Sequence, residues 1–231
     1  MDKAAEFIGA EDPELLRMRG TDLQILEYYR IKNDTVQPLI NWFHKSMNPR
    51  DADIKKSPIH KELSALQQCK VFYTTNYDDF IERAIRLGGR EVISVASEHD
   101  LSRLRHEVQV IKFHGDFDRP GMMVLSESDY ESRMRLETAM DLKLRSDVLG
   151  RALLFVGYSF RDSNVAYLFR LINEYFKDLP GSFSGRRAYI IYPNPSDFEL
   201  QLFHARKVEV IPTSGPYLAE DAASILEEMR A

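Results

Sequence analysis

Three stretches of the 231-residue chain end an apolar run on side chains that can move protons or sit against phosphate: "TTNYDD" (74–79), "VIKFHGDFDRPG" (110–121) and "LLFVGYSFRDSNV" (153–165). In the first, Asn76 followed three residues later by Asp79 reads as a helix N-cap with its box. The same asparagine is also placed to stand at the mouth of a nucleotide site. In the second, a strand delivers His114 straight into a glycine turn. Histidine exchanges a proton near neutral pH, and Gly115 lets backbone approach a ligand; a histidine merely packed at a strand end is the alternative. In the third, Gly157 and Ser159 precede a helix capped by Asp162, and such a small-residue turn binds phosphate or ribose through backbone N–H groups. A serine nucleophile elbow fits poorly, because it requires glycine where this chain has Arg161. His99, His106 and His204 lie on helical or polar stretches, and His44 and His60 have no partner at a metal-ligand spacing.

The elements that must position these residues follow from periodicity. The first 65 or so residues read as helical: Asp12 caps with Pro13 in the first turn, and "DLQILEYYRI" and "VQPLINWFHKSM" repeat apolar positions every three or four residues. Residues 48–58 read as a polar, turn-rich connection, with Ser57-Pro58 starting the next helix. From Lys70 onward, apolar runs alternate with amphipathic segments. Strands are expected at "VFYTT", "VISV", "VQVIKF", "ALLFVG", "AYIIYP" and "VEVIP". Helices are expected at 78–87, 98–105, 127–133, 137–148, 162–176, 196–204 and 218–229. This alternation predicts an α/β fold with a parallel, Rossmann-like sheet flanked by helices, in which ligands bind beyond the carboxyl ends of the strands. The expected division is a helical part, 1–65, lying over the site as a lid or subdomain, and a Rossmann-like core, 66–231.

Composition narrows the chemistry. A net charge of −5, from 31 basic and 36 acidic side chains, gives no electrostatic reason to expect nucleic acid or an anionic membrane as partner. The single cysteine, Cys69, forbids an internal disulfide and a four-cysteine zinc site, and it points to a cytoplasmic protein. No run approaches the roughly 20 apolar residues of a membrane span.

A strand ending in T-N-x-D, a later one ending in H-G and a third ending in G-x-S, in that order, resemble the sirtuin-like (silent information regulator 2) family. The likeness is greatest to the sirtuin-like domains of bacterial anti-phage defence proteins and runs from about Glu62 to the C-terminus. The resemblance implies NAD⁺ as substrate and no metal. It implies that Asn76 orients the nicotinamide ribose and a water, that Asp78 contacts the nicotinamide carboxamide, and that His114 is the catalytic histidine. Thr75, Gly115, Gly157 and Ser159 would line the cofactor. Without the four-cysteine zinc module of deacetylating sirtuins, the resemblance implies NAD⁺ hydrolysis rather than acyl-lysine chemistry. It also leaves room for a homo-oligomer or a partner defence protein; Tyr28, Tyr29, Trp42 and Phe43 of the helical part read first as packing of the lid or subdomain over the site, since apolar positions at helical spacing are more often core than interface.

The family opens with a strand and a G-A-G-x-S loop around the pyrophosphate, and "FIGAEDPE" has neither the strand nor the second glycine. Two expectations follow: that Met1 is an internal start with the strand and loop upstream of it, or that the chain is a non-catalytic NAD⁺/ADP-ribose-binding or assembly module. Sequencing the reading frame upstream of Met1 tests the first. A glycine-rich loop encoded there is expected, and a stop codon immediately before Met1 would contradict it.

Overall fold

The structure, a computed structural model, describes residues 6, 8–9, 12–102, 108–133, 138–158, 188–215 and 218–230. It divides into two compact units, Met1–Met140 and Asp141–Ala231. The first unit opens with helices α1 (Pro13–Arg19), α2 (Asp22–Asn33), α3 (Gln37–Ser46), α4 (Asp51–Lys56) and α5 (Pro58–Ala65). Asp12 Oδ1 accepts a hydrogen bond from Leu15 N at 2.9 Å, as the cap reading expects. Thr21 and Gln24 form a reciprocal capping box on α2. Helix α4 replaces the predicted turn-rich connection. Its acids, Asp51 and Asp53, occupy the first turn and its lysines, 55 and 56, the last, so the charges complement the helix dipole. Only Ile54 among its side chains is buried, which left no apolar period to read.

Strands β1 (Val71–Thr74), β2 (Val92–Val95) and β3 (Val108–Lys112) form a parallel sheet in the order β1-β3-β2. Helices α6 (Phe80–Leu87) and α7 (Glu98–Leu101) follow β1 and β2, and α8 (Glu127–Arg133) follows β3. The His114 strand is therefore the central one. Val108, Val110, Ile111 and Lys112 are all buried, as a middle strand covered on both faces requires. On one side Val110 packs with Phe72 and Ile85; on the other Ile111 packs with Val95 and Met140. Each such aliphatic side chain contributes about 1.5–3 kcal/mol through burial.

The second unit holds β4 (Leu153–Phe155), β5 (Ala188–Pro193) and β6 (Val208–Thr213), again parallel and in the order β4-β5-β6. Helix α9 (Ala139–Gly150) precedes β4, α10 (Asp197–Ala205) joins β5 to β6, and α11 (Leu218–Arg230) follows β6. Ser196 and Glu199 cap α10 reciprocally. The parallel α/β architecture flanked by helices is thus present, in two three-stranded ladders. Ser159, the cap at Asp162, the 162–176 helix, residues 103–105 of the predicted 98–105 helix and residue 137 of the predicted 137–148 helix lie outside the described residues. No helix among the described residues is long and apolar enough to cross a membrane.

Helix α2 is fastened to the start of α8. Glu27 Oε2 accepts hydrogen bonds from Ser128 N (3.0 Å) and Ser128 Oγ (2.8 Å), and Arg30 bridges Glu27 (3.0 Å) and Asp129 (2.8 Å). Burial pushes the Glu27 carboxyl upward, but the Ser128 amide, the hydroxyls of Ser126 and Ser128 and the Arg30 guanidinium outweigh it and hold it down at about 2, against 4.5. A depressed carboxylate stabilises the fold above its unfolded value and loses that contribution as pH falls through its folded value. Glu27→Gln is expected to cost about 1–2 kcal/mol at pH 7 in chemical denaturation. The difference from the parent should shrink between pH 4.5 and 2.

Candidate functional site

The parallel register sets Thr74 beside Lys112, so Asn76 and His114 each lie two residues past the last paired position, at one carboxyl edge of the sheet. The pairing continues one step further through Phe113 N donating to Thr74 O at 2.8 Å. Thr75, Asn76, Asp78, His114 and Gly115 therefore all belong to two adjacent strand ends. The buried Thr74 hydroxyl accepts from Asn76 N at 3.0 Å and turns the chain there. Helix α6 begins at Phe80 rather than at residue 78, with Asp79 at the N-cap position and no side-chain cap bond. Asn76 is thus not the cap. Its nearest substitute is Asp78, whose Oδ1 accepts from Phe80 N at 3.2 Å. The correction has a local cause: two further polar residues, Asp78 and Asp79, compete for the helix start. Asn76 stands exposed.

His114 is 2% exposed. Tyr130 of α8 lies edge-on to its ring, 5.1 Å between centroids, with Tyr130 Oη 3.5 Å from Nδ1, the outer limit of a hydrogen bond. Its carbonyl accepts from Val124 N at 2.9 Å, and Val124 O accepts from Tyr77 Oη at 2.6 Å. Tyr77, between Asn76 and Asp78, is in this way tied to the same residue as the His114 backbone. Burial pushes the Tyr77 phenol well above its usual value, so it remains a donor. Gly115 has φ +82°, and a Cβ there would stand 2.7 Å from Met122 O. Only glycine fits this turn.

Beneath these turns lies a charged pair that the sequence did not announce. Lys112 and Glu82 are buried side by side, Nζ to Oε1 3.2 Å, with side chains 1% and 2% exposed. Lys112 Nζ also donates to the carbonyls of Asp78 and, at 3.4 Å, Tyr77. Burial raises the Glu82 carboxyl, and the neighbouring ammonium offsets only part of that. A cavity of about 220 Å³ opens here, lined among others by Tyr77, Asp78, Glu82, Lys112 and Asp116. Asp116 is buried, its carboxyl raised by loss of solvent, and its Oδ1 accepts no hydrogen bond. A larger hollow of about 530 Å³, lined by Leu200, Gln201, His204 and Val208–Val210, contains none of the candidate residues.

The N-terminal helices reach this region at two points. Ile40 of α3 packs on Met123 and Leu125, and the His44 ring stacks on Phe117 at 5.2 Å. His60 is paired with Ser57 Oγ at 2.8 Å and lies against Phe80, away from any ligand set. Among the described residues no three His, Cys, Asp or Glu side chains are grouped to hold a metal ion. In the second unit Gly157 follows β4 with φ +75°, and among the described residues a Cβ there would meet nothing within 4 Å.

Of the residues that shape the site, Lys112, Glu82, Asp116 and Tyr130 escaped the sequence reading. A lysine inside the apolar run "VQVIKF" was the one available signal, since a charge in a central strand must be buried and paired.

Residues 70–211 match the family described as a SIR2-like domain. The chain is similar to the NAD(+) hydrolase ThsA of Acinetobacter baumannii, 30% identical over 199 residues, which cover 80% of this chain and 39% of that protein. It is similar to the NAD(+) hydrolase ThsA of Bacillus cereus, 28% identical over 159 residues, covering 68% and 33%. It is also similar to defense-associated sirtuin 2 of Bacillus subtilis, 27% identical over 151 residues, covering 64% and 14%. The chain thus spans at most 39% of the length of these relatives.

The glycine turn yields a direct test. Gly115→Ala forces a side chain into a left-handed backbone against the Met122 carbonyl, and a loss of about 2–4 kcal/mol is expected in thermal or chemical unfolding. Gly121→Ala, where a Cβ meets nothing within 4 Å and φ is not positive, is expected to stay within about 0.5 kcal/mol of the parent.

Proposed function

The chain belongs to the SIR2-like family, and from that premise we propose that it carries an NAD⁺ glycohydrolase site, cleaving NAD⁺ with water to nicotinamide, ADP-ribose and a proton. The observation that carries the reading is the convergence of Asn76 and His114 on one carboxyl edge of adjacent parallel strands. The likeness to two NAD(+) hydrolases supports the reaction, and the likeness to a defense-associated sirtuin supports a role in an anti-phage or stress response. NAD⁺ is the substrate and no metal takes part. The protein works in the cytoplasm. Association with a second copy or with a partner defence protein belongs to the same reading.

The chemistry asks little of the protein beyond position and proton control. As the bond between nicotinamide and ribose breaks, positive charge develops at the anomeric carbon, and neutral nicotinamide departs with the bonding electrons. The Asn76 amide holds the ribose and a water, so attack begins from a fixed geometry. His114 accepts a proton from the ribose hydroxyl or water as the new C–O bond forms. Asp78 takes the carboxamide of the leaving group, and the polar cavity beside it receives it. Thr75 and Gly115 line the dinucleotide at the same strand ends, the glycine by admitting it close to the backbone. At 2% exposure His114 is sheltered from bulk water, which strengthens its interactions with charge developing in the transition state.

The test is release of free nicotinamide from NAD⁺. His114→Ala and Asn76→Ala are each expected to lower kcat by 10²-fold or more, in the range that removal of an acid–base or positioning group costs. No release by the parent, or release that both variants preserve, would count against the reading. Thermal stabilisation by NAD⁺ without turnover would favour a binding module instead.

A further inference from the structure

The buried Lys112–Glu82 pair lines the cavity beside Asp78 and moves no proton in the chemistry above, yet its ammonium bonds to the backbone of the turn after β1. We propose that Lys112 is a positioning residue of the site. Its ammonium fixes the Asn76–Asp78 turn relative to His114, and Glu82 holds that ammonium in place. This rests on the hydrolase reading for its consequence in turnover, but not for the structural link itself.

Three observations carry it. First, Lys112 precedes His114 by two residues on the central strand, so its backbone moves with the histidine, while its Nζ reaches across to the carbonyls of Tyr77 and Asp78. One side chain therefore joins the two segments that carry the candidate residues. Second, the turn Asn76–Asp78 precedes the first helical bond, Arg83 N to Asp79 O at 2.9 Å, and is held by side chains, Asn76 N on Thr74 Oγ1 and Phe80 N on Asp78 Oδ1. Helix α6 starts only at Phe80, without a side-chain cap bond from Asp79. Tyr77 and Asp78 carbonyls that face inward need a donor, and the lysine supplies it. Third, a lysine this deep is costly unless it is paired, and Glu82 on α6 provides the countercharge at 3.2 Å. An apolar side chain at 112 would pack against the neighbouring strands without either cost. A pair retained at this place, where it contacts the turn backbone rather than solvent, is explained by what it orients.

The consequence is a division of effects. Asn76 acts on the ribose and its water in the transition state, so loosening its turn lowers kcat more than it raises KM, because small misplacements of a reacting group are costly while ground-state binding is spread over many contacts. The loss also passes through Asn76, so it is not additive with removal of that side chain.

The experiment uses the full chain and the double substitution Lys112→Met/Glu82→Gln, which leaves no orphaned charge. Hydrogen–deuterium exchange is read first, because it does not depend on activity. At least tenfold faster exchange is expected at amides 76–80, with amides 108–112 unchanged and a cooperative melt retained. Unchanged exchange at 76–80 would overturn the proposal. So would acceleration spread evenly through β1 and β3, the sign of a pair that serves general stability. Nicotinamide release is read second: kcat is expected to fall at least tenfold with KM changed less than threefold, and the added Asn76→Ala substitution is expected to cost less than it does in the parent. Full, independent losses from the two changes would contradict positioning through Asn76. If the parent releases no nicotinamide, the hydrolase reading falls, while the exchange result still decides the link between Lys112 and the turn.

Discussion

A charge buried in the central strand of a sheet leaves its neighbours few choices. Lys112 is 1% exposed, so β3 can occupy the middle of its ladder only where Glu82 and the carbonyls of Tyr77 and Asp78 meet the ammonium. That condition fixes the register of β1 on β3, since a one-residue slip would carry the lysine to the other face of the sheet, toward Val95 and Met140. It also fixes the start of α6, which must present Glu82. The arrangement of Asn76 against His114 follows from the same register. Removing the lysine alone would leave a buried carboxylate without its countercharge, a change that typically costs about 3–5 kcal/mol.

Around this pair the site is built by ordinary packing. β3 supplies a hydrophobic strand whose neighbours bury both faces, and its last residues emerge into a turn that only glycine can make. The helices before β1 contribute through α8: Glu27 and Arg30 fix its first turn, and α8 in turn carries Tyr130 to the His114 ring. A remote ionic contact on α2 therefore bears on the orientation of a histidine more than eighty residues later. Burial raises the carboxyls of Glu82 and Asp116, whereas hydrogen bonds hold that of Glu27 down.

The strands were readable because β-branched runs with polar ends are local signals. "VISV" and "AYIIYP" coincide with β2 and β5, and Asn76, His114 and Gly157 each lie two residues past the ends of β1, β3 and β4. What escaped was either masked by competing local choices or non-local. The helix after β1 starts at Phe80 because Asn76, Asp78 and Asp79 each offer a start, and the packing of α6 decides among them. Helix α4 hid in a polar stretch because its stability comes from end charges and from Arg83, more than thirty residues away, bonded to Asp51. The pairing of Lys112 with Glu82 spans thirty residues and leaves no period in the sequence. Long-range complementarity of this kind appears only when the strands are laid side by side.

On the proposed reading, the carboxyl ends of β1 and β3 together form the NAD⁺ site. A crystal structure of the His114→Ala variant soaked with NAD⁺ tests it most directly, since that variant retains the binding surface while slowing cleavage. The account predicts the nicotinamide ribose between Asn76 and position 114, with the carboxamide at Asp78. NAD⁺ bound elsewhere on the chain, with these strand ends empty, would contradict it.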